Sequence, residues 1–430
     1  MQEHMGTETA DEHTLASPCA QASLSTSAKL FSEARRRILH FTPAWFSINM
    51  GTGIASILLY NLPFQVKALQ YIAMGIFILN ILLFVLFLAT TIARYLIWPR
   101  IFPLMLSHPT QSLFLGTLPM GLATIINMIV FVCVPRFGDH FATLAWVLWW
   151  IDAALSMIIG TFVPYIMVDR HKHTLETMTA VWLLPIVANV VAAASGGVVA
   201  SVLPPQEARI TVITSYIIWG AGVPISFMII PIYLQRLFLF KNPPSDQLVS
   251  VFLVVGPCGQ GAYGLSILGK VVSSLATDHG VYLFPALTSD KQILQTLSLV
   301  WNFASLIAAL IMWGIGLFWL ILAVTTIIHR ALTGGFKFNL GWWGFTFPIG
   351  VWAAATNELG NEMESTPFKI LGTIISACVI FFWIFVSSRT AYRAWIGTLF
   401  YAPCLGSKGE PPTSRCTSNI ITESHELETA

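Results

Sequence analysis

Apolar residues recur along this chain in blocks of membrane length, separated by short stretches where the charges collect. Ten such blocks cover 43–62, 68–91, 110–133, 142–167, 177–201, 210–235, 247–269, 297–328, 341–357 and 370–388. A helical crossing needs about 20 apolar residues, so the pattern predicts an all-α polytopic membrane protein with ten transmembrane helices. The eighth block exceeds what a bilayer requires and predicts a tilted or projecting helix. The blocks also alternate in character. Odd-numbered ones carry helix breakers, namely Pro43, Gly51 and Gly53, then Gly116, Pro119 and Gly121, then Pro185, then Pro257, Gly259 and Gly261, then Pro348 and Gly350. Even-numbered ones, such as LQYIAMGIFILNILLFVLFLATT at 69–91, are dominated by Leu, Ile and Phe. This recurrence predicts five helical hairpins, with five broken helices in an inner ring around a central pore and five smoother helices facing lipid. The small-residue runs TGIAS (52–56), VAAASGG (191–197) and GQGAYG (259–264) suit inner helices and suit ordinary helix packing as well.

The stretch LGWWGFTFPIGVWAAAT, Leu340 to Thr356, is uncharged and carries an aromatic-Pro-Gly break. Pro348 donates no backbone hydrogen bond, and Gly344 and Gly350 weaken the helix on either side, which predicts a kink at mid-span with exposed carbonyls. Lipid tolerates such a kink only against protein or a water-filled cavity. The stretch therefore reads as one wall of a path, with Phe347 as an apolar plug. A Pro-kinked packing helix fits the same residues.

Composition supports the membrane assignment. The chain has 430 residues, 56% hydrophobic and 10% charged, with mean hydropathy +0.74, against about 25% charged in soluble domains. Net charge is only +2, but its placement is informative. The two tails and the even-numbered loops hold 16 of the 22 Lys and Arg, which by the positive-inside rule predicts cytosolic termini. Residues 1–40 and 399–430, rich in Ser, Thr and Glu, are expected to be disordered tails around a transporter domain at 41–398. The six cysteines (19, 133, 258, 378, 404 and 416) fall in tails and spans, so no disulfide framework is expected. No cleaved signal peptide is expected either.

The ten blocks contain no Lys, Arg or His and one acid, Asp152. That argues against an embedded His-ligated metal or haem, against paired catalytic carboxylates, and against an enzyme; no cofactor and no nucleic-acid partner is expected. His171, Lys172 and His173 read as a solvated basic turn. Asp152 is a candidate proton-coupling group, or a protonated or hydrogen-bonded tie between helices. An uncharged ring can still pass a small anion, because broken helices aim backbone dipoles at the axis and hydroxyl and amide groups replace water. Candidates for that lining are Ser47, Asn49, Thr52, Gly53, Thr117, Thr124, Asn189, Gln260 and Thr346. An inside-negative potential drives each negative charge outward by about 2.3 kcal/mol per 100 mV, so efflux needs no coupling ion.

FTPAWFSINMGTGI (41–54), TAVWLLPIVANVVAAASGG (179–197), VGPCGQGAYG (255–264) and GWWGFTFPIGVWAAAT (341–356) together resemble the tellurite-resistance/dicarboxylate transporter family, which includes slow-anion-channel-like proteins. Among its branches the chain is most similar to the fungal sulfite efflux pumps, over roughly 40–395. The resemblance implies five hairpins around a pore, a homotrimer with one pore per subunit, and a plasma-membrane location. It implies that a phenylalanine in a TFP motif of the ninth helix, here Phe347 between Thr346 and Pro348, occludes the pore. It also implies sulfite export, with a malate or C4-dicarboxylate transporter of the same fold as the alternative. A dicarboxylate asks for paired cationic contacts, and the ten blocks have none; Arg209 and Lys270 lie near block ends.

Overall fold

A computed structural model describes residues 26–244, 247–335 and 338–405. Among these residues there is no strand, and the α-helices run α1 Thr26–Leu39, α2 Phe46–Tyr60, α3 Lys67–Ile97, α4 Ile101–Ser107, α5 Thr117–Met128, α6 Val134–Phe137, α7 Asp139–Asp169, α8 Leu184–Ala200, α9 Pro205–Phe240, α10 Val255–His279, α11 Lys291–Thr333, α12 Phe347–Glu362 and α13 Thr366–Ile396. Eight of the helical segments are long and apolar enough to cross a membrane, which makes this a polytopic membrane protein. The segments expected at 43–62 and 341–357 form shorter α-helices, α2 of 15 residues and α12 of 16.

Burial alternates along the chain. The most apolar windows of Ala180–Ala200 and Leu248–His279 are 100% and 83% buried, whereas those of α3, α7, α9, α11 and α13 are 22–33% buried. Fourteen of the 15 residues of α2 and twelve of the 16 of α12 are buried too. The enclosed helices touch in cyclic order, α2 on α5, α5 on α8, α8 on α10, α10 on α12 and α12 back on α2. Each also packs on the exposed helix that follows it: α2 on α3, α5 on α7, α8 on α9, α10 on α11 and α12 on α13. Small residues set the spacing. A β-carbon on Gly259 would lie 2.6 Å from the backbone of Trp352, so α10 and α12 meet at a distance only glycine permits.

The breakers act differently from the expected mid-span kinks. Each enclosed α-helix is entered through a 3₁₀ turn: Pro43–Trp45, Ser112–Gly116, Ala180–Leu183, Leu248–Val254 and Leu340–Phe345. Pro119, Pro185, Pro257 and Pro348 then occupy the first turn of their helices, where a backbone N–H has no intrahelical partner to lose. The Trp343 carbonyl is taken up by both the backbone N–H of Thr346, at 3.1 Å, and its hydroxyl, at 2.7 Å. Interior prolines lie instead in the exposed helices, Pro164 in α7 and Pro224 and Pro231 in α9. The even-numbered helices are thus not free of prolines, yet α7 and α9 run unbroken over 31 and 36 residues. The 43-residue α11 is roughly 65 Å long, as its long apolar block foretold.

The two described ends of the chain meet. Arg37 donates to the Trp395 carbonyl at 3.2 Å, the Ala402 N–H reaches His40 Nδ1, and Trp45 stacks on Phe400 at 4.8 Å. Buried Arg94 binds the Leu39 carbonyl and lies 3.8 Å from Cys404 Sγ. Most of the expected amino-terminal tail lies outside the described residues, as does that beyond Leu405; the stretch Thr26–Leu39 is helical, with Glu33 between Arg36 and Arg37. Their guanidinium groups hold the Glu33 carboxyl down at about 2. Cys133, Cys258, Cys378 and Cys404 are free, and Cys19 and Cys416 lie outside the described residues.

Candidate functional site

The amino-terminal ends of all five enclosed helices open on one cavity of about 1110 Å³, marked by Ser47 of α2, Thr117 of α5, Leu184 of α8, Gly256 of α10 and Phe347 of α12. The even-numbered loops and both ends of the chain form its rim, through Thr42, Gln111, His173, Gln247, Phe338 and Thr398. Five parallel helices thus present their positive dipole ends and first-turn N–H groups to a single vestibule.

Side-chain charge adds to that field. Lys172, Arg236 and Arg393 line the vestibule against one acid, Glu176. Arg236, only 4% exposed, donates to the Glu176 carbonyl at 3.1 and 3.3 Å and to the Lys241 carbonyl. Arg393 donates to the Phe338 carbonyl at 3.3 Å. Among the described residues no salt bridge is made by any of the three cations, so their charge is left to whatever enters. The turn His171–His173 is more ordered than a solvated turn. His171 contacts the Leu106 carbonyl at 2.9 Å and the His173 ring abuts Trp182. Burial, and then the neighbouring His171, push the His173 imidazole below its ordinary value.

Phe347, 3% exposed, also lines the vestibule. Its neighbour Phe345 is fixed by rings on three sides, stacked on Phe382 at 5.4 Å and in contact with Phe252 and Trp342. Phe347 belongs to no ring pair among the described residues, so no aromatic partner holds it in its rotamer.

A second cavity, of about 290 Å³, lies toward the opposite ends of three of these helices, α8, α10 and α12. Val187 and Val198 of α8 line the first and second cavities respectively, as do Gly256 and Ile267 of α10, and Phe347 and Glu358 of α12. Each pair is eleven residues apart, three turns on one helix face and roughly 16 Å of rise. One face of each of these helices therefore runs from vestibule to far mouth. Gln260, buried on α10, lies at that helical phase between Gly256 and Ile267.

Of the path residues expected from sequence, Ser47, Thr117 and Phe347 meet at the vestibule. Gln260 lies on the α10 face between the two cavities, and the remaining ones make contacts elsewhere. Asn49 donates to the carbonyl and side-chain oxygen of Asn80 on α3, and Thr52 accepts from Trp383 of α13 at 3.2 Å. Gly53 lets α2 close on Thr124 and Asn80, while Thr124 donates to the Gly121 carbonyl. Asn189 is wedged between Gly160 of α7 and Gly222 of α9, and Thr346 packs over Gly51. Asp152 is fully buried on α7, away from both cavities, and neither its carboxyl oxygens nor the Ser156 hydroxyl has a partner among the described residues. The residues that sequence reasoning missed are Arg236 and Arg393, one residue past one block and five past another.

Comparison with known proteins agrees with this geometry. The family profile of the voltage-dependent anion channel, SLAC1, matches residues 40–391. The chain is 47% identical to the sulfite efflux pump SSU1 of Arthroderma otae over 86% of its length and 96% of that protein. It is 48% identical to the Trichophyton rubrum protein of the same name, with the same coverage. A malic acid transport protein of Schizosaccharomyces pombe is 25% identical over 88% of this chain and 83% of its own length.

Proposed function

This chain belongs to the voltage-dependent anion channel family, a family of transporters and channels and not of enzymes, and we propose that within it the protein exports sulfite across the plasma membrane. On this reading α2 and α12 cross the bilayer with the eight longer segments, giving ten crossings as five hairpins around a central path. Both termini and the vestibule face the cytosol, and three copies assemble with one path each. A small oxyanion collects in the vestibule, where five helix ends and three cations favour it. It then passes Phe347 and follows the face that carries Gln260. The observation that carries the reading is the convergence of five positive helix ends and three cations, against one acid, on a cavity that Phe347 also lines.

Malate remains a second reading on one specific observation. Arg236 and Arg393 line a single cavity, which supplies the paired cations that a dicarboxylate asks for. Efflux of sulfite and malate measured side by side from cells with and without the protein decides between them. Loss of sulfite efflux together with sulfite sensitivity is expected; normal sulfite tolerance with impaired malate efflux would reverse the assignment.

A further inference from the structure

The far mouth is chemically unlike the vestibule. Lys270 is the one Lys or Arg lining the second cavity. Its ammonium lies 2.6 Å from Glu362 Oε1 and 3.5 Å from Glu358 Oε1, two carboxylates one turn apart on α12. The lysine side chain is 54% exposed and those of the two acids 16% and 17%. An ammonium has three N–H donors. Two acids engage two of them, one tightly and one loosely, so the group turned toward the cavity keeps a donor to give.

An anion reaching this end meets an unfavourable field. The carboxyl-terminal ends of α8 and α10 border the cavity through Ala200 and His279, and their free carbonyls carry partial negative charge. Glu358 adds a full charge on the same helix face as Phe347, eleven residues beyond it. The favourable counterweight is Lys270.

We propose that Lys270 is the oxyanion-binding group of the far mouth and that Glu358 and Glu362 form a displaceable latch on it. The proposal rests on the reading of the chain as an anion transporter, and adds to it where the ion is held before release. A small oxyanion has the chemistry of the loosely held Glu358 carboxylate and takes its place on the ammonium. The latch keeps occupancy weak enough for the ion to leave, because the acids compete for the same donors.

A purely structural bridge between α10 and α12 makes the opposite prediction for the acids, which gives the test its sign. The full-length chain is measured in right-side-out and inside-out vesicles, so that each face is titrated separately with sulfite, nitrate and chloride. Lys270→Gln is expected to raise the half-saturating anion concentration at the far face about tenfold, the worth of one charge-assisted hydrogen bond. The vestibule face should be unchanged, and Lys270→Arg should retain wild-type behaviour. Glu358→Gln and Glu362→Gln are each expected to lower the far-face value about threefold, since each removes a competitor. Equal shifts at both faces in Lys270→Gln, no shift in it, or weakened far-face binding in the glutamine variants would overturn the latch. A wild type that carries nitrate or chloride but not sulfite would sink the substrate assignment while the Lys270 comparison still stands. One that carries no anion would overturn both.

Discussion

The two mouths differ in charge because they lie at opposite ends of parallel helices. At the vestibule, positive helix ends and the cations Lys172, Arg236 and Arg393 face a single acid. At the far mouth, negative helix ends and two glutamates surround one lysine. On the proposed reading the protein gathers anions at one end and concedes them at the other, with no charge fixed between. A gradient of that sign favours loading from the side where the chain termini lie. The lesson is that an uncharged interior can have a direction when its helices all point the same way.

The largest effect is expected from joining the two ends. On the proposed reading Phe347→Ala opens the floor of the vestibule, and anion flux in reconstituted vesicles should rise about tenfold or more, a barrier change of at least ~1.4 kcal/mol. Unchanged or lower flux in correctly inserted protein would show that the ring is packing and not a stopper. Next comes the charge difference itself. Arg236 is buried and holds two carbonyls, those of Glu176 and Lys241, whereas Arg393 is half-buried and holds one and Lys172 is exposed, so Lys172→Gln with Arg393→Gln is the cleaner variant. It should lower uptake from the vestibule side about fivefold at low salt and much less at 0.5 M, where the Debye length falls to about 4 Å. A deficit that persists at high salt would point to a direct ligand instead of steering.

A smaller change is expected from titrating the vestibule. Burial and His171 hold the His173 imidazole below its ordinary value, so it is neutral at pH 7 and gains its charge only as pH falls well under about 6.5. The sign follows. Acidifying the vestibule side adds a cation to the rim and should raise flux of nitrate, which does not itself titrate there, by about twofold. The same depressed value means that folding stability from this group is present above its unfolded value and lost as pH falls through the folded one. His173→Gln should flatten the flux response; a response that survives the substitution would assign it to another group.

Much of this arrangement is legible in the chain. Pro119, Pro185, Pro257 and Pro348 mark the enclosed helices, and charge placement puts both ends of the chain beside the even-numbered loops, as the vestibule rim has them. Helical phase was the missing constraint. Ser47 and Asn49 lie about 200° apart around a helix, as do Val187 and Asn189, so one face cannot hold both members of either pair. Asn49 and Asn189 accordingly serve α3, α7 and α9. Arg236 escaped, and Lys270 was placed only near a block end, because an apolar block ends at its first charge, whereas α9 continues to Phe240 and α10 to His279. Long side chains at such ends reach polar space while their stems stay among apolar neighbours.

Asp152 belongs to neither mouth, and for that reason its substitution is the sharpest check on the comparison. It sits on the buried stripe of α7 with Ala145, Trp149, Ser156 and Val163, on the helix that packs between α5 and α8. Its carboxyl oxygens have no partner among the described residues, and a carboxylate so enclosed would cost several kcal/mol or more. A neutral acid avoids that cost, and asparagine has nearly its shape. If transport direction comes from the field between the two mouths, Asp152→Asn should leave the dependence of flux on external pH unchanged, with stability within about 1 kcal/mol of wild type. Loss of the pH dependence in a well-inserted Asp152→Asn protein would mean that a proton moves with the anion, and that the difference between the mouths does not by itself set the direction.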